Sequence, residues 1–117
     1  MPGFRRKSTH VVLEAFDIGV SGERHYDVNI QRILNEHGGG RLEYRCKAAI
    51  RRDLGNESDP NAVEVTVHGL RVGFISGVTS EKVARKIQDR TVELDCVVSW
   101  NGETPNGIYH VKLFPVF

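Results

Sequence analysis

Asn56-Glu57-Ser58-Asp59-Pro60-Asn61-Ala62-Val63-Glu64-Val65-Thr66-Val67-His68-Gly69-Leu70-Arg71-Val72-Gly73-Phe74-Ile75 runs from a cluster of turn formers into two alternating arms joined by His68-Gly69. Val63, Val65 and Val67 recur at every second position, as do Leu70, Val72 and Phe74. A period of two places side chains on one face of a strand, so the stretch predicts an antiparallel hairpin with one apolar face on each arm. The residues ahead of it predict a tight turn in which Asp59 or Asn61 bonds nearby backbone amides.

Reading outward, the same period appears on both sides. Between Arg41 and Arg52, Leu42, Tyr44, Cys46, Ala48 and Ile50 share one face, while Glu43, Arg45, Lys47 and Arg51 share the other, which predicts a half-buried strand with a basic outer face. Val92, Leu94, Cys96, Val98 and Trp100 predict a further strand, and Tyr109, Val111 and Leu113 the last one, with a turn-rich loop over 101–107 between them. His10 to Ser21 reads as a strand with imperfect alternation, broken at Ser21-Gly22. Two segments have helical spacing instead. One is Asp27 to His37, with Val28, Ile30, Ile33 and Leu34 in phase, Asp27 as cap and Gly38 as stop. The other is Thr79 to Gln88, with Thr79 or Ser80 as cap and Val83, Ala84 and Ile87 facing inward. About six short strands and two short helices predict a mainly β protein, a closed or nearly closed small barrel.

The chain has 117 residues, of which 39% are hydrophobic, and single cores commonly organise about 100 to 150 residues, so one domain over 1–117 is expected. No apolar run approaches the roughly 20 residues that cross a bilayer, and Met1 to Lys7 lacks the apolar core of a secretory signal, which makes a cytoplasmic address the expectation. Cys46 and Cys96 each fall among alternating apolar residues and read as small, inert core side chains. The formal net charge of +1 argues against a protein that coats long nucleic acid, because such proteins gain affinity from a large basic excess. Any nucleic-acid site is therefore expected to be small and local.

The five histidines and two cysteines show no metal-ligand spacing, no phosphate loop ends in Lys-Ser or Lys-Thr, and no nucleophile elbow is present. This pattern gives no reason to expect a metal, a cofactor or an enzyme. Asp53, Glu57 and Asp59 are the one acidic group that invites a metal-dependent nuclease, a reading weakened by how common such turns are. Gly22-Glu23-Arg24-His25-Tyr26 places a cation and two rings directly after a strand, chemistry suited to holding a phosphate and stacking on bases.

Two motifs in order, Gly22-Glu23-Arg24-His25-Tyr26 and then Asp59-Pro60-Asn61-Ala62-Val63 with Val72-Gly73-Phe74-Ile75, resemble the HIRAN domain family over about Leu13 to Phe114. The resemblance implies an OB-like barrel and recognition of the 3′-hydroxyl end of single-stranded DNA, usually beside a helicase-type ATPase. Small free-standing members occur in bacteria, and a role in DNA repair or processing is implied, with a separate helicase or nuclease protein as partner. By the same resemblance Arg24 contacts phosphate, and His25 and Tyr26 stack on the last bases. Asp59 reads the terminal hydroxyl, Asn56 bonds sugar or phosphate, and Phe74 walls the pocket. Lys47, Arg51 and Arg52 are the cations expected to attract the strand. The chain departs from the family at His25, where an aromatic is usual, and at Phe74, where a DNA-binding homologue has histidine. Those departures leave a second expectation, a protein-interaction barrel without DNA binding.

Overall fold

The structure, a computed structural model, describes residues 19–40, 42–101 and 108–114. Six strands form one antiparallel sheet in the order β1-β4-β3-β2-β5-β6. These are β1 (Val20–Ser21), β2 (Glu43–Arg52), β3 (Val63–Val67), β4 (Leu70–Ile75), β5 (Val92–Asn101) and β6 (Ile108–Phe114). A 3-10 turn, Glu23–Tyr26, leads into helix α1 (Asp27–Glu36), and helix α2 (Gly77–Ile87) links β4 to β5. The sheet curls into a nearly closed barrel. Its two outer strands come together where the Glu23 carboxylate accepts the Val111 N–H at 3.2 Å, so a side chain does the work of a missing ladder bond. Within the expected strand from His10, residues 19–21 are described and Val20–Ser21 forms the strand; 10–18 and the loop 102–107 lie outside the described residues.

Alternation produces the core. Ala48 and Ile50 of β2, Val63, Val65 and Val67 of β3, and Val92, Leu94, Cys96 and Val98 of β5 are buried in one cluster. Ile30, Ile33 and Leu34 of α1 and Val83, Ala84 and Ile87 of α2 join it. Full burial of an aliphatic side chain contributes about 1.5 to 3 kcal/mol, so this cluster is the main driving force for folding. Val28, expected on the inner face of α1, is 71% exposed, and Leu42, expected to extend β2, is 56% exposed and lies before the strand.

The helix starts also differ from expectation. Asp27 is the first helical residue and makes no capping bond, because the 3-10 turn feeds the chain into α1. Helix α2 begins at Gly77, where the Ser76 carbonyl accepts the N–H groups of Thr79 and Ser80; the Ser80 hydroxyl turns back to the Gly77 carbonyl. The end of α1 follows the sequence: His37 and Gly38 both donate to the Ile33 carbonyl, and Gly40 to that of Leu34.

The hairpin turn is built as read, with His68 and Gly69 at φ 51° and 79°, the two left-handed positions of a type I′ turn. His68 also carries contacts. Its ring stacks on His37 at 3.7 Å between centroids and its Nε2 meets the Tyr44 hydroxyl at 2.9 Å, pinning the end of α1 to the hairpin. Burial and the neighbouring His37 lower the His68 pKa.

The second arm does not alternate as expected. Val65 pairs with Gly73 but Thr66 pairs with Arg71, so Val72 is an extra residue in β4. A bulge of this kind reverses the parity of everything beyond it. Leu70 and Val72 pack toward the core, whereas Phe74, expected on their face, stands outside beside Glu64.

Candidate nucleic-acid interface

Gly22 sits at φ 80°, a backbone state glycine reaches at little cost, and it lets the chain leave β1 at once for the 3-10 turn. The turn is closed by the His25 N–H donating to the Gly22 carbonyl at 3.0 Å and is anchored at its start by Glu23 on β6. Arg24 and His25 consequently project into water, and neither side chain has a hydrogen bond or ion pair among the described residues. Tyr26 is half-buried and turns toward the barrel wall.

There it meets Phe74, with ring centroids 6.4 Å apart and planes at 51°. The bulge supplies the third member. Because Val72 is the extra residue, Arg71 and Phe74 both stand on the outer face, and the Arg71 guanidinium lies 5.0 Å from the Phe74 ring centroid. Arg71 Nη2 donates to Glu64 Oε1 at 2.5 Å and stands 3.8 Å from Asp53, while Arg51 Nε donates to Glu64 Oε2 at 2.6 Å. Asn29 of α1 donates to the Arg71 carbonyl at 2.8 Å, fixing that backbone to the helix. The Glu64 side chain is only 6% exposed under its two arginines. Burial pushes its carboxyl up, and the hydrogen bonds from Arg71 and Arg51 overcome that effect and hold its pKa below the ordinary carboxylate value. The Glu64 hydrogen bond in turn raises Arg71, against burial and with help from Tyr26 and Asp53. A polar cleft of about 370 Å³ opens beside this network, lined by Arg51, Arg52, Asp53, Glu64, Arg71 and Thr91.

The other expected site residues, Asn56 and Asp59, bond within their own loop. Asn56 Oδ1 accepts the N–H groups of Ser58 and Asp59 at 3.0 and 2.9 Å, and Asp59 Oδ1 accepts the N–H of Asn61 at 3.0 Å. These side chains build their own turn, which Arg52 steadies by donating to the Pro60 carbonyl at 3.2 Å. Asp59 remains exposed. On the basic outer face of β2, Lys47 pairs with Asp95 at 2.5 Å and Arg51 with Glu64. Asp53 faces Arg71 rather than Glu57 and Asp59, and among the described residues no cluster of three His, Cys, Asp or Glu side chains is arranged to hold a metal ion.

Sequence reasoning passed over Arg71 and Glu64. Each looks like an ordinary outward strand residue, and the only local hint of their setting is Gly73. A Cβ there would come within 2.7 Å of Val20 Cγ1 and 2.8 Å of the Ser21 carbonyl, so the glycine marks a close approach of β1 and β4. Comparison with family models, curated proteins and solved structures gives no match to this chain.

Proposed function

We propose that this chain is a non-enzymatic module that captures the 3′-hydroxyl end of a single DNA strand in repair or processing. The observation that carries the reading is the meeting of Tyr26 and Phe74. They come from the two separate motifs of the HIRAN-like pattern and converge on one outer patch, next to the exposed Arg24 and His25. Tyr26 and Phe74 provide tilted ring faces for the last bases, each stacked base contributing about 1 to 3 kcal/mol. Arg24 holds the phosphate between those bases, with His25 beside it. Phe74 is kept in place by Arg71, whose charge is already answered by Glu64, so Arg71 shapes the wall rather than binding phosphate. Asp59 spends one carboxylate oxygen on its turn, and its other oxygen accepts the bond from a terminal sugar hydroxyl.

Titration of a labelled oligonucleotide with a free 3′-hydroxyl tests the assignment. Tyr26→Ala should weaken binding about 5- to 150-fold, the loss of one stacked base. Asp59→Ala should weaken it about tenfold or more, the loss of a charge-assisted hydrogen bond. Unchanged affinity in both variants rejects the site. A protein-interaction barrel is the second reading, favoured by the pairing of Lys47 and Arg51 with carboxylates. Its signature is a specific protein partner together with no DNA affinity in the unmodified chain.

A further inference from the structure

Cys46 on β2 and Cys96 on β5 are separated by 50 positions in the chain, yet they are direct cross-strand partners with Sγ atoms 3.4 Å apart. Opposed residues of antiparallel strands keep their Cα atoms about 4.5 to 5.5 Å apart, inside the range of about 4.4 to 6.8 Å that a disulfide bridges. Side-chain rotation therefore suffices to bring the sulfurs to bonding distance. The two thiols are not equivalent. Cys46 is half-buried while Cys96 is 2% exposed, and both line a cavity of about 440 Å³ whose rim includes Arg45, Lys47 and Phe114.

We propose that Cys46 and Cys96 form a redox-active dithiol that closes to an intramolecular cross-strand disulfide on meeting a low-molecular-weight disulfide. The Cys46 thiolate attacks one sulfur of the small disulfide, forming a mixed disulfide and releasing one small thiol that takes up the Cys46 proton. Cys96 then attacks Cys46 Sγ, expels the second small thiol and gives it the remaining proton. Two protein thiols are oxidised and one small disulfide is reduced to two thiols. The hydrogen bond between the sulfurs draws Cys46 below its ordinary pKa against the effect of burial. The same hydrogen bond, with burial and the charge of Asp95, pushes Cys96 up. This division suits an attacking thiol backed by a resolving one.

The test uses the unmodified chain, oxidised glutathione as probe, alkylation of remaining thiols after denaturation, and intact mass. The expected product is a monomer lighter by two hydrogen atoms, closed to alkylation and restored by dithiothreitol. Cys96→Ser should stop at the glutathione adduct on Cys46, and Cys46→Ser should react at least about tenfold more slowly than Cys96→Ser. Full alkylation after oxidation, a lasting glutathione adduct on the unmodified chain, or interchain dimers as the sole product would overturn the proposal. Equal reactivity of the two serine variants would overturn the order of attack. None of these readouts depends on DNA binding.

Discussion

Glu64 alternates with Val63 and Val65 and so belongs on the solvent side of β3, yet its carboxylate is enclosed by Arg51 from β2 and Arg71 from β4. Because its folded pKa is depressed, the stabilisation it gives is present above the ordinary carboxylate value of 4.5 and is lost as pH falls through the folded pKa. Thermal melts across the acid range should therefore show a limb that Glu64→Gln flattens. Glu64→Ala should cost about 1 to 2 kcal/mol at neutral pH, less than for a fully buried pair because Arg51 keeps its access to water. A loss that stays constant with pH would mean that packing, not charge, is what Glu64 supplies. Individual residues show where sequence reading stops. The apolar positions of β3 and β5 follow from their spacing alone, whereas the partners of Glu64 and of Cys46 depend on register, which the whole sheet sets.

At the level of elements, the bulge in β4 decides what the outer wall can do. Perfect alternation would bury Phe74 with Leu70 and Val72; the extra residue instead turns it outward beside Arg71 and opposite Tyr26. Strand existence was legible in the residues 70–75, but the parity change was not, since a single inserted residue leaves the apolar count untouched. Gly73 is the element's tightest point. Gly73→Ala would drive a methyl into Val20 and the Ser21 carbonyl and should cost about 1 to 3 kcal/mol, the range of overpacked substitutions. Urea denaturation should register that cost, and amide exchange should quicken in β1 and β4 while β2 and β5 stay protected. Protection lost evenly across the sheet would contradict this local account. The start of α1 departs from expectation for a related reason: Asp27 has the right side chain, but the 3-10 turn already supplies the chain's entry into α1.

For the molecule as a whole, the antiparallel barrel is the part most fully written in the sequence, because six alternating segments must close on themselves or leave open edges. Charge is also legible at this scale. A net charge of +1 gives no large basic excess for a long phosphate track, and Lys47 contacts Asp95 while Arg51 and Arg71 share the carboxylate of Glu64. Among the described residues no helix is long and apolar enough to cross a membrane. The site is less legible than the fold, since the rings meet by tertiary contact while Asn56 and Asp59 serve their own turn. The central claim is that the chain reads the end of a strand. The most direct measurement is the affinity of the unmodified chain for two labelled single-stranded oligonucleotides that differ only in a 3′-hydroxyl or a 3′-phosphate. The account predicts clearly tighter binding of the hydroxyl form, because the phosphate sets negative charge against Asp59 and removes the hydroxyl donor. Equal affinity for the two ends would contradict it.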